Sequence, residues 1–197
     1  MWDEAEIFLA KDRNIALLVK KWGSCNIKPH LHKDYFEHLC ANIIGQQLSG
    51  KAADTIFARF KDKVGKITPV NVLRISEQEL RDCGLSWAKV SYVKDLAGKT
   101  KNGKLKTKKL GELPDDEVIK ELVAVKGIGR WTAEMFLMFT LARPDVFPVD
   151  DLGIRKSFEK ITGKIFDKVK AAKFAEKHWK PWRTVASWYL WRSLDND

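Results

Sequence analysis

The chain has 197 residues and a formal charge of +10, with 45% hydrophobic residues, 31% charged residues, 12 glycines and 6 prolines. That is enough chain to bury a core in one folding unit, and too little glycine and proline for a disordered or fibrous protein. The positive balance favours a polyanionic partner, nucleic acid first, although charge alone fits a basic protein that binds nothing in particular equally well.

Three cysteines, Cys25, Cys40 and Cys83, stand at spacings that suit neither a zinc site nor a cluster and read as buried thiols in a reducing compartment. With no leader-like opening and no apolar run of membrane length, the expected setting is the cytoplasm if the source is prokaryotic.

Apolar residues recur three or four apart along most of the chain, as in Tyr35, Phe36, Leu39, Cys40, Ile43 and Ile44, and strand-like alternation is absent. This period predicts helices over residues 3–21, 34–47, 50–61, 76–82, 87–101, 115–124, 130–141, 152–161, 168–178 and 182–193, hence an all-α fold. Gly45 and Gly84 mark breaks, and Pro114-Asp115-Asp116 reads as a first helical turn. The lysine-rich run from Lys99 to Lys109 reads as a solvated connection.

Two segments carry candidate chemistry. Residues 122–133, Leu-Val-Ala-Val-Lys-Gly-Ile-Gly-Arg-Trp-Thr-Ala, end one helix, turn through Gly127 and Gly129 around an apolar Ile128, and start another. Glycines there permit positive backbone dihedrals and close approach, so that the N–H groups of the turn and the new helix can converge on one phosphate. An isolated G-x-G would serve equally as a plain helix–helix corner. Lys126 and Arg130 beside the turn, and Thr132 inside the next helix, fill out the phosphate-binding context. About twenty residues on, Phe147-Pro148-Val149-Asp150-Asp151-Leu152 brings two adjacent carboxylates to a helix start. Aspartate is a preferred N-cap, and capping is compatible with catalysis.

Together these segments resemble the helix-hairpin-helix (HhH-GPD) DNA glycosylases, and among them the 3-methyladenine DNA glycosylase II branch. The resemblance extends over most of the chain and includes Ile44-Gly45-Gln46-Gln47-Leu48-Ser49-Gly50-Lys51, the turn from Cys83 to Lys89, and Trp179-Lys180-Pro181-Trp182-Arg183. It implies a two-lobed helical glycosylase fold with the active site in the cleft between lobes. Residues 1–197 would form a single unit, with a central lobe over about 34–135 that carries the hairpin and a second lobe made of the N-terminal helix plus about 136–197. It implies excision of alkylated purines such as 3-methyladenine and 7-methylguanine from duplex DNA by base flipping, in base excision repair.

By the same resemblance the catalytic carboxylate falls on Asp151, and the base pocket on Trp131, Met135, Leu152, Trp188 and Trp191. DNA contacts fall on Gln46, Gln47, Leu48, Ser49, Lys51, Lys126, Gly127, Gly129, Arg130 and Thr132, with Gln47 or Leu48 as the wedge. The backbone carbonyls of Val123, Val125 and Ile128 would hold a monovalent cation, Na+ or K+, and no other cofactor is expected. Bifunctional relatives carry a lysine two residues after the second hairpin glycine; Trp131 stands there, which implies a monofunctional enzyme. Met135 replaces a tyrosine of the larger relative, which leaves the pocket's shape open. The expected partner is damaged duplex DNA, with no membrane, and the protein is expected to be a monomer in the nucleoid-bearing cytoplasm or, in a eukaryote, the nucleus. Two other readings remain: a non-catalytic helix-hairpin-helix module that binds damage, and a glycosylase for deaminated or oxidised bases.

Overall fold

A computed structural model describes residues 1–195. Among them the regular elements are helical: α1 (Asp3–Leu9), α2 (Arg13–Trp22), α3 (Tyr35–Gly45), α4 (Gly50–Val64), α5 (Pro69–Arg74), α6 (Glu77–Asp82), α7 (Trp87–Lys101), α8 (Asp115–Val123), α9 (Arg130–Met135), α10 (Leu152–Thr162), α11 (Lys168–Trp179) and α12 (Arg183–Arg192). No helix among the described residues is long and apolar enough to cross a membrane.

Local chemistry sets half of the starts. The Asp12 carboxylate accepts from the N–H of Asn14 at 2.9 Å, so the helix expected over 3–21 is interrupted and a new one begins at Arg13. The Thr68 hydroxyl accepts from Asn71 N–H at 3.2 Å and Pro69 occupies the first turn, giving α5, a six-residue helix too short for periodicity to reveal. Ser76 and Glu79 form a reciprocal capping box before α6, and Ser86 caps α7 through Lys89 N–H. The helix expected over 130–141 changes register: α9 gives way to a π turn over Phe136–Thr140, where Leu141 N–H reaches back five residues to the Phe136 carbonyl at 3.0 Å. Within the lysine-rich run, Thr107–Glu112 coils into a 3-10 segment with Thr107 and Leu110 buried, so part of that connection is packed rather than solvated.

The chain divides into two compact units, Pro29–Leu141 and Met1–Lys28 with Ala142 onward. The first holds α3–α9. Its core comprises Leu39, Ile43 and Ile44 of α3, Phe60 of α4, Leu80 and Leu85, the Val90, Val93 and Leu96 face of α7, and Leu122 and Phe136, all buried. The second holds α1, α2 and α10–α12 around the fully buried Trp179 and Tyr189. Both aromatic polar groups are bonded: Trp179 Nε1–H donates to Asp12 at 3.2 Å, and the Tyr189 hydroxyl donates to the Gly23 carbonyl at 2.8 Å. Glu6 accepts from Cys25 N–H, and its carboxylate lies 3.2 Å from the Tyr189 hydroxyl as a second, longer acceptor for the same proton, which brings α1 against α12. The three cysteines are free and buried; burial pushes the Cys25 thiol up to about 11 and raises Cys40 and Cys83 as well, so none is a reactive thiolate.

Candidate functional site

In the unit holding both chain ends, the acidic corner is built by a stapled loop. Arg183, the first residue of α12, grips the Asp145 carboxylate through Nε at 2.6 Å and a terminal nitrogen at 2.9 Å. The Thr184 hydroxyl donates to the Arg143 carbonyl at 2.6 Å and accepts from Val146 N–H at 3.0 Å. The chain then turns, Asp151 N–H donating to the Pro148 carbonyl at 3.0 Å, and α10 starts. Fixing the start of α12 against 143–146 also fixes its last turn, which carries Trp191.

Asp151 is half-buried, and its Oδ1 accepts two N–H donors at 2.8 Å each: Ile154 of its own helix and the Trp191 indole Nε1. Gly153 makes the second bond possible. A Cβ there would stand 2.8 Å from Trp191 Cδ1 and 2.9 Å from its Nε1, inside any real contact. The carboxylate is thus clamped in one orientation at a helix N-terminus. Leu152, expected beside a base, is 62% exposed on the first turn of α10. Asp150 is exposed and paired with the equally exposed Lys168, an arrangement of little energetic consequence.

Trp188 departs from expectation. It is 8% exposed, packs edge-on to Tyr189, and carries the Arg192 guanidinium 5.4 Å from its ring centre. Three residues before Trp191 on a helix buried almost all round, it is a core tryptophan rather than an open pocket wall. Replacing Trp191 by phenylalanine keeps a ring but deletes the N–H held to Asp151. A charge-assisted hydrogen bond is worth about 1.5–3 kcal/mol, so the melting temperature should fall by about 3–12 °C. A melting temperature equal to the parent's would contradict the bond.

In the Pro29–Leu141 unit, the hairpin joins α8 to α9. Gly127 has φ +77, and a Cβ on it would lie 2.0 Å from the Tyr92 ring of α7. Gly129 differs: its φ is −90, and a Cβ there meets nothing within 4 Å. Only the first glycine is demanded by the fold; the second leaves open surface where α9 begins. Ile128 and Val125 are buried beneath the turn, Lys126 is exposed, and Arg130 is exposed with its Nε 3.0 Å from the nearly buried Glu134. Trp131, in the first turn of α9, is 40% exposed, and Met135, one turn on, is half-buried.

The turn is anchored from behind. Lys126 N–H donates to Asp95 Oδ2 at 2.8 Å, and Lys99 Nζ lies 2.5 Å from the same oxygen. Burial alone would push the Asp95 carboxyl up, but these two partners outweigh it and hold the group below its usual value. The bonds therefore stabilise the fold above pH ~4, and that contribution is lost as pH falls through the depressed folded value. Asp95→Asn should lower the melting temperature at pH 7, with the gap to the parent closing towards pH 3. A gap independent of pH would contradict this.

Before α4, the Gln46–Ser49 turn lies against the hairpin. Gln46 does not reach outward as expected of a DNA contact: its amide donates to the Gly127 carbonyl at 2.9 Å and to the Thr132 hydroxyl at 3.2 Å. Thr132 is itself buried, so this pair is an internal strut. Gln47 is exposed with φ +57, Leu48 is 37% exposed, and Ser49 and Lys51 lie exposed at the start of α4. Gln46, Gln47, Lys89, Tyr92, Gly127 and Trp131 are among the residues around a hollow of about 350 Å³.

The three carbonyls implied for a cation differ. Val125 accepts Ile128 N–H at 3.1 Å, whereas among the described residues neither Val123 nor Ile128 accepts a backbone hydrogen bond. Carbonyl oxygens are the ligand type that a hard cation takes.

Sequence reasoning missed Gly153, Asp95, Lys89 and Tyr92 as shaping residues. The turn from Cys83 to Lys89, part of the resemblance, and the spacing of Lys89 and Tyr92, three apart after a serine, were the available signals.

The family profile described as HhH-GPD superfamily base excision DNA repair protein matches residues 40–184. The chain is 38% identical to DNA-3-methyladenine glycosylase 1 of Schizosaccharomyces pombe, over 96% of this chain and 86% of that protein. The solved structure of the Schizosaccharomyces pombe 3-methyladenine DNA glycosylase Mag1 in complex with abasic DNA superposes with a TM-score of 0.85 at 37% identity, covering 96% of each chain. A DNA-3-methyladenine glycosidase from Bacillus halodurans superposes with a TM-score of 0.81 at 34% identity, over 98% of this chain and 90% of that one. With a glycine-turned hairpin on one unit, a clamped aspartate at a helix start on the other, and these likenesses running nearly end to end, the chain belongs to the HhH-GPD superfamily of base excision DNA repair proteins.

Proposed function

We propose that this protein is a monofunctional DNA glycosylase that hydrolyses the N-glycosidic bond of alkylated purines, 3-methyladenine and 7-methylguanine among them, in duplex DNA. The observation that carries this reading is the Asp151 carboxylate, held at the α10 N-terminus by Ile154 N–H and the Trp191 indole. Capping α10 requires only the Ile154 N–H; the second donor, the Trp191 indole, fixes the carboxylate beyond what a cap needs.

Breaking the bond between base and deoxyribose builds positive charge on the sugar, and a preorganised carboxylate stabilises that charge. Asp151 has this role and orients the water that adds to the sugar carbon as the base departs with the bonding pair. An N-alkylated purine that carries positive charge leaves as a neutral base, so no strong general acid is required. Trp131, an exposed aromatic face, suits a cationic base through a cation–π attraction of about 0.5–2 kcal/mol. Met135, Leu152 and Trp191 are the other proposed base-contacting residues. Because the target base is stacked inside the duplex, it must be turned out and its place filled; Gln47 and Leu48 are the exposed candidates for the wedge.

Lys126, Gly127, Gly129 and Arg130 present N–H groups and positive charge to a backbone phosphate, with Ser49 and Lys51 as flanking contacts. A monovalent cation on the carbonyls of Val123, Val125 and Ile128 would add positive charge to the same turn. The protein works where chromosomal DNA is, in the nucleoid-bearing cytoplasm of a prokaryote or the nucleus of a eukaryote.

The monofunctional chemistry is tested on a duplex oligonucleotide holding one 7-methylguanine. Base release should leave an unbroken strand that cleaves only after alkali, with no protein trapped on DNA by borohydride. Strand cleavage without alkali, or a trapped adduct, would reveal a lysine nucleophile and overturn this part of the reading.

A further inference from the structure

The turn that carries the proposed wedge adopts an unfavourable backbone conformation and is held by a half-buried charge. Gln47 has φ +57, a left-handed conformation that side chains with a Cβ avoid. It follows the last turn of α3, whose terminal carbonyls have no partner within the helix. Lys89 supplies one: its Nζ donates to the Ile44 carbonyl at 2.7 Å and to the Gln46 carbonyl at 2.8 Å, on either side of Gly45. Lys89 is half-buried, and its removal from water lowers its pKa, a cost tolerated because the ammonium sits at the negative end of α3 between two carbonyls.

The same helical stretch holds the hairpin. Ser86 caps α7 at Lys89 N–H, Lys89 grips the turn, and Tyr92, three residues on, lies against Gly127. Gln46 closes the frame through its amide bonds to Gly127 and Thr132. The backbone immediately before Gln47 is therefore tied to the element proposed to grip phosphate, and the Gln47 side chain is left exposed.

We propose that Lys89 is a positioning residue for base flipping: by bridging the Ile44 and Gln46 carbonyls it keeps Gln47 in its left-handed conformation, ready to enter the duplex. This rests on the glycosylase reading above. Without the bridge, the Gln46 carbonyl loses its cation and the turn relaxes to ordinary backbone angles, so the wedge must be reordered at each encounter with DNA. That penalty applies where a paired, stacked base has to be displaced and is absent where the lesion is already unpaired.

The test compares single-turnover release of 7-methylguanine from two duplexes, one with the lesion paired to cytosine and one with it inside a three-base mismatch bubble. The parent, Lys89→Met and Lys89→Arg are run side by side. Lys89→Met should lower the paired rate at least about tenfold relative to the bubble rate, the scale set by losing hydrogen bonds from a charged group. Lys89→Arg, which retains charge and donors, should recover most of that ratio. If Lys89→Met slows both substrates by the same factor, or neither, the positioning role is wrong and Lys89 serves only the fold. If the parent itself releases no base from either duplex, the glycosylase reading fails instead.

Discussion

Asp151→Asn should abolish base release while leaving the protein folded and still bound to DNA. Asparagine keeps an oxygen for Ile154 N–H and the Trp191 indole, so the α10 cap survives with a stability change below about 1 kcal/mol. What disappears is the negative charge proposed to face a developing oxocarbenium ion, for which a loss of about 10²–10³-fold or more is the scale of removing one preorganised electrostatic group. Asp150→Asn is the matched control: it removes an exposed ion pair to Lys168, worth roughly 0–1 kcal/mol, and should leave the rate within about fivefold. Equal loss in both variants would mean that the two carboxylates act together, and loss only in Asp150→Asn would move the catalytic assignment by one residue.

The largest effect on stability should come from Gly127→Ala. The new methyl would sit 2.0 Å from one Tyr92 ring carbon and 2.3 and 2.4 Å from two more, in a backbone at φ +77 that alanine disfavours. Overpacking and the dihedral penalty together should cost about 2–4 kcal/mol, a drop of roughly 5–15 °C in melting temperature for a chain of this size. Because Tyr92 shares α7 with Lys89 and Gln46 bonds the Gly127 carbonyl, the disturbance should reach the wedge turn and weaken DNA binding as well. Gly129→Ala separates the two effects. Its methyl meets nothing in the protein and its φ of −90 suits alanine, so the melting temperature should stay near that of the parent. DNA affinity should nevertheless fall, because the methyl stands where a phosphate would approach the start of α9. A Gly129→Ala variant that binds DNA as tightly as the parent would place the phosphate elsewhere.

Much of this was legible in the residues because local and global signals agree. Periodicity located the long helices, α7 over the full expected span, since one apolar face per helix must be buried whatever the neighbours. The acidic corner was legible because an aspartate at a helix start has one local meaning, capping, and catalysis adds to it. Periodicity was blind to α5, six residues fixed by Thr68 and Pro69, and to the break at Asp12, where a cap overrides continuous apolar spacing. It also missed the change to π register after Met135, which depends on tertiary packing.

The individual roles were harder to read for the same reason. Gln46 looked like an outward-reaching polar residue and is a strut, because its partners Gly127 and Thr132 lie some eighty residues along the chain. Trp188 and Trp191 look alike in sequence, but one faces the core and the other Asp151, and only the packing of α12 distinguishes them. The two hairpin glycines likewise looked equivalent, and only Gly127 is required by a neighbour.

The most direct test of the central claim is chromatography of what the protein releases from methylated duplex DNA. Free 3-methyladenine or 7-methylguanine, produced by the parent and lost in Asp151→Asn while DNA binding persists, is the predicted result. Tight binding to the same DNA with no base released by the parent would contradict the account and leave a helix-hairpin-helix protein that recognises damage without cutting it out.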